Sequence, residues 1–117
     1  MTDLRNGRCL GDQVERADRF LPRLKGLLGR TGLGEGEGLL LADCASVHTC
    51  FMCFPIDLCF LGAESGAGQE VLRTVEALVP WRAASAVGAR TVLELPAGVL
   101  RKADVREGDR LEVSSCA

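Results

Sequence analysis

Helical periodicity occurs in one stretch of this chain, and that restricts the fold more than any other feature. Asp18 suits an N-cap, Pro22 falls in or near the first turn, and Phe20, Leu21, Leu24, Leu27 and Leu28 recur at helical spacing until Gly29. Elsewhere the apolar residues come in short runs cut by glycine, proline and aspartate. These runs predict strands at 38–42, 47–54, 56–61, 71–79 and 91–95, two more within 3–16, and a last one at 111–113. Near 95–98, Leu-Pro-Ala-Gly leads into a short amphipathic turn. Many short strands with one helix predict an α+β fold, a small curled or barrel-like, mostly antiparallel sheet sealed by one main helix. At 117 residues there is room for one domain, with its core over about 3–114.

Charge is unevenly spread. Residues 1–30 carry seven bases against four acids, and residues 31–79 carry one base against seven acids. Arg16, Arg19, Arg23 and Arg30 lie on roughly one side of the predicted helix, the pattern of a solvated face. Four phenylalanines, one tryptophan and no tyrosine equip the chain poorly for stacking on bases, so nucleic acid is not the expected partner. The glycines at 32, 34, 36 and 38 alternate with Glu35 and Glu37, and that negative charge opposes a phosphate cradle.

The first residues lack the apolar stretch of a signal peptide, and Pro55 and Asp57 break the longest apolar run well short of a membrane span. The expectation is a cytoplasmic protein without membrane insertion, whose six cysteines are thiols.

The segment from Cys44 to Leu61 holds the single histidine, His48, and a Cys50-x-x-Cys53 pair. Cys44, His48, Cys50 and Cys53 are a conceivable zinc set, but side chains alternate along an extended strand, so Cys50 and Cys53 point to opposite faces, and no second Cys-x-x-Cys completes a tetrahedron. No metal and no cofactor are expected. Buried cysteine behaves as a small hydrophobe, which suits Cys50, Cys53 and Cys59. His48 with Asp57 offers a base and its orienter, and Ser46 or Thr49 a hydroxyl, although no nucleophile-elbow glycines surround Ser46.

Several separated motifs together resemble a prokaryotic family known as domain of unknown function 192. They are Arg23-Leu-Lys-Gly-Leu-Leu-Gly-Arg30, Gly36-Glu-Gly-Leu-Leu-Leu41, Cys44, Ser46-Val-His-Thr49, Met52-Cys-Phe-Pro-Ile-Asp57 with Phe60-Leu61, Val79-Pro-Trp-Arg82, Val92-Leu-Glu-Leu-Pro-Ala-Gly98 and Gly108-Asp109. The resemblance covers nearly the whole chain and implies a single compact α+β domain with no established activity. Ser46, His48, Thr49, Met52 and Asp57 match the family pattern, whereas Cys50, Cys53 and Cys59 depart from it. A local resemblance over 95–113 to the half-barrel of AbrB-type swapped-hairpin domains implies a tight turn at Gly108-Asp109, not DNA binding.

The expected function is a small binding or accessory module that uses Ser46, His48, Thr49, Met52, Asp57 and Trp81 to contact a protein or small molecule. The alternatives are a hydrolase with His48 as base and Asp57 as its orienter, and a nucleic-acid module using Arg16, Arg19, Arg23 and Arg30.

Overall fold

The run Ile56-Asp-Leu-Cys-Phe-Leu61 is too continuously apolar to cover one face of a sheet, and the fold buries it on both. In the computed structural model, which describes residues 1–17, 34, 36–42, 44–48 and 54–112, this run is the strand β5 (Ile56–Leu61), with every residue buried. Alternation sends Ile56, Leu58 and Phe60 into one core with Leu39, Leu41, Val47, Phe54 and Val92. It sends Cys59 and Leu61 into a second core with Leu40, Leu93, Leu95, Leu100 and Leu111. Each fully buried Leu or Phe contributes about 1.5–3 kcal/mol from removal of apolar surface from water.

The other strands are β1 (Thr2–Asp3), β2 (Gln13–Ala17), β3 (Glu37–Ala42), β4 (Ser46–His48), β6 (Gln69–Leu78), β7 (Ala83–Ser85), β8 (Thr91–Pro96) and β9 (Arg110–Glu112). Of the nine described strands, seven form one mixed sheet in the order β1-β9-β6-β5-β8-β3-β2, antiparallel throughout except for the parallel β2–β3 pair. The remaining two, β4 and β7, form an antiparallel ribbon. A short helix, α1 (Val99–Lys102), plugs the second core with Leu100. The chain is therefore mostly β, a curled half-barrel with one short helix among the described residues, as the runs of short strands predict.

Curl has a local cause. Between Ile56 and Leu58 the register of β5 against β6 shifts by one residue, so β6 has an extra residue opposite Asp57. That bulge contains Ala77 at φ 49, in the left-handed region. Bulges bend a strand and increase its twist.

Two expectations need correction or restriction. Cys9 is disulfide-bonded, so the prediction of thiols throughout fails there; Cys44 and Cys59 are free and buried. The cause is proximity that sequence spacing does not reveal. The helix predicted at 18–29, with Arg19, Arg23 and Arg30, lies outside the described residues, as does 49–53 of the strand predicted at 47–54. Among the described residues no helix is long and apolar enough to cross a membrane.

Candidate functional site

Asp57 is the one polar side chain in an otherwise apolar central strand, and it is fully buried. A buried carboxylate persists only if donors surround it. Three backbone amides do so: Ala77 N donates to Oδ1 at 2.8 Å, and Gly98 N and Leu100 N donate to Oδ2 at 3.0 Å each. Gly98, at φ 97, is the N-cap of α1 and has no side chain with which to cap, and α1 has no acid in its first turn. Asp57 supplies from across the sheet what the local sequence lacks. Its other oxygen takes the amide that the β6 bulge withdraws from the ladder.

One carboxylate thus fixes two things, the start of α1 and the exit direction of β6. Beyond the bulge the chain passes through Val79, Pro80, Trp81 and Arg82 into β7. Trp81 is 58 % exposed and sits at φ 64, a conformation rare for a bulky side chain. Arg82 Nη1 donates to the Trp81 carbonyl at 3.2 Å, and Val79 is 47 % exposed beside them.

The ribbon brings β4 to the same place. His48 is in register with Ala83, Val47 with Ala84 and Ser46 with Ser85, so His48 lies opposite a residue only two positions from Trp81. Val47 is buried in the first core, Ser46 is exposed, and Arg73 Nη1 on β6 donates to the Ser85 carbonyl at 2.6 Å, which ties the ribbon to the main sheet. Cys44 Sγ lies 3.0 Å from the Ser46 carbonyl.

Of the six residues singled out from sequence, Ser46, His48 and Trp81 are gathered at the ribbon by backbone pairing and chain continuity. Asp57 is buried in β5, and its carboxylate bonds go to Ala77, Gly98 and Leu100 rather than to any of these three. Thr49 and Met52 lie outside the described residues. Sequence reading placed Val79 and Arg82 in a family-like motif without assigning them to the site, and it missed the strand β7, because Ala83-Ala-Ser85 has neither apolar alternation nor β-branched residues.

Elsewhere a groove of about 560 Å³ runs between the N-terminal segment and α1, lined by Arg8, Leu10, Asp12, Gln13, Val99 and Lys102 among others. None of the six residues lines it. Among the described residues no group of three or more His, Cys, Asp and Glu side chains is placed to hold a metal ion.

A family model, DUF192, described as Uncharacterized ACR, matches residues 2–113. No curated protein matches the chain. Two solved structures share its fold. One is a protein of unknown function from Novosphingobium aromaticivorans, with a TM-score of 0.71 and 27 % identity over 85 % of this chain and 73 % of that one. The other is described as a putative transcription regulator from Sinorhizobium meliloti, with a TM-score of 0.73 and 25 % identity over 85 % of this chain and 79 % of that one.

Proposed function

Since the chain belongs to the DUF192 family, whose members are uncharacterised, we propose from its own geometry that it is a protein-binding module, with Trp81 and Arg82 at the centre of the contact surface and β4 beside them. The observation that carries this reading is Trp81 itself: a large aromatic held out in solvent at a strained backbone position, on a loop whose direction a buried carboxylate fixes. Tryptophan and arginine are the residues that most often dominate the energy of protein interfaces. Backbone strain of about 1–3 kcal/mol persists where the surrounding structure enforces it.

Trp81 is 58 % exposed and the groove is lined by other residues, so a protein partner fits better than an enclosed small molecule. A hydrolytic role fits less well. Asp57 is fully buried and its two oxygens already accept three amide bonds, which is the environment of a structural brace.

The test is site-specific photo-crosslinking in cells. Benzoylphenylalanine placed at Trp81 should give a discrete protein adduct that the same probe at the wholly exposed Val87 does not give. Identical patterns at both positions, or none at Trp81, would reject the proposal. The description of the Sinorhizobium relative motivates one further arm. Duplex DNA binding that weakens steeply with salt would replace this reading with a regulatory one.

A further inference from the structure

Among the described residues an unusual polar contact lies at the β1–β9 edge of the sheet. Asp3 on β1 is fully buried and Asp109, just before β9, is 7 % exposed, and their carboxyl groups lie within hydrogen-bond reach of each other. Asp109 is fully engaged as an anion: Arg5 Nε donates to its Oδ1 at 2.8 Å and Arg106 N to its Oδ2 at 3.0 Å. Asp3 is not. Its Oδ1 accepts Arg5 N at 2.8 Å, but its buried Oδ2 has no donor. Two ionised carboxylates would leave two acceptors face to face in a site closed to water. One proton on Asp3 Oδ2 turns that repulsion into a charge-assisted O–H···O bond.

We propose that Asp3 and Asp109 share one proton across the β1–β9 junction, forming a latch that holds segment 2–8 against the end of α1 in mild acid and loosens as the proton is lost. The segment is well placed for this. Leu4 N donates to the Arg110 carbonyl at 2.8 Å, Asn6 Nδ2 to the Ala103 carbonyl at 2.8 Å, and Arg8 Nη1 to the Lys102 carbonyl at 2.9 Å. The segment's last residue, Arg8, lines the 560 Å³ groove opposite Val99 and Lys102 of α1, so loosening the segment changes that end of the groove. Cys9, the residue that follows the segment, is disulfide-bonded.

The charges around the pair agree with this assignment. Burial, followed by the bond to Asp109, pushes Asp3 up to about 6. Asp109 is held below the usual carboxylate range: burial raises it, but the bonds from Asp3, Arg106 N and Arg5 outweigh that. Arg5 bridges onward to Asp104, which also pairs with Arg106 at 3.2 Å. From β5 the facing group is Cys59, whose thiol burial and the two carboxylates push far up, so it stays neutral. From β6 it is Gln69, which is neutral and bonded to the Gly62 carbonyl at 2.9 Å. His48 belongs to β4, which pairs with β7 rather than with β1 or β9.

Amide hydrogen exchange of the full chain across mild acid to neutral pH tests the latch. The probes are Leu4 and Gly7, whose amides bond to Arg110 and Asp3 carbonyls, with Leu58 in β5 as the internal control. A proton held more tightly in the closed state makes opening tenfold more favourable per pH unit across the interval between the two pKa values. After correction for intrinsic rates, opening at Leu4 and Gly7 should therefore rise about tenfold or more between about pH 4.5 and 6.5, with Leu58 unchanged. Asp3→Asn supplies a permanent N–H donor to Asp109, so the rise should vanish, whereas His48→Gln should leave it intact. A wild-type chain without the rise, or Asp3→Asn retaining it, overturns the proposal. If Asp3→Asn fails to fold, the wild-type carboxyl ¹³C titration decides: a midpoint near 6 for Asp3 supports the latch, and an ordinary carboxylate midpoint overturns it.

Discussion

Replacing Asp57 should cost more than any other single polar substitution in this fold, and the amount follows from three bonds. In Asp57→Ala the amides of Ala77, Gly98 and Leu100 lose their acceptors together. A buried amide left without a partner costs about 1–3 kcal/mol, and one oxygen serves two of the three, so the losses overlap and the expected total is about 4 kcal/mol. With a urea slope of about 1.5 kcal/mol per M, the unfolding midpoint should fall by about 2–3 M. Asp57→Asn can keep its oxygen on the two α1 amides but sets its own NH₂ against Ala77 N–H, so it should lose about 2 kcal/mol. Urea unfolding of the wild type and both variants measures these values, and exchange at Ala77, Gly98 and Leu100 should quicken before exchange in β5 does. A loss below about 1 kcal/mol in Asp57→Ala would refute the reasoning, because it would mean that water or the helix itself satisfies those amides.

Three further outcomes follow from features at other sites. Ala77→Gly relieves the left-handed φ of 49 at the bulge and should stabilise the fold by up to about 1 kcal/mol in the same urea assay. Denatured without reductant, the protein should show at most four titratable thiols, the six cysteines minus the two in the Cys9 disulfide, whereas six would remove that bridge. Trp81→Phe should change stability by no more than about 0.5 kcal/mol, and the wild-type tryptophan emission, which comes from Trp81 alone, should be accessible to iodide.

What the sequence discloses divides by range. The strands β3, β5, β6, β8 and β9 are legible because apolar runs and glycine or proline stops are local signals. The turn at Gly108-Asp109 is legible for the same reason, and Asp109 does accept Arg106 N three residues back. The ribbon is half legible: Val47 marks β4, but β7 is stabilised by pairing and by Arg73, not by its own residues. Asp57 stands out in sequence as the acid near the only histidine, yet its partners come from 20, 41 and 43 residues away, and they are amides, which every residue carries. No local pattern distinguishes that use of an aspartate from a catalytic one. The meeting of Asp3 with Asp109 escaped notice, since over a hundred residues separate two carboxylates that the β1–β9 pairing brings together.

The strand that Asp57 interrupts has a second history, in the chain before it folds. Ile56-Asp-Leu-Cys-Phe-Leu61 is six residues long, with five apolar side chains and a single charge. Windows of this length with high β-propensity and little charge nucleate intermolecular sheets, and a lone acid within one acts as a gatekeeper against that. The carboxylate that braces α1 in the native state is therefore also the only electrostatic obstacle to self-association of this segment while it is exposed. Neutral substitutions at Asp57 should lower the yield of soluble protein on refolding by more than the loss of stability accounts for, with the excess growing as protein concentration rises.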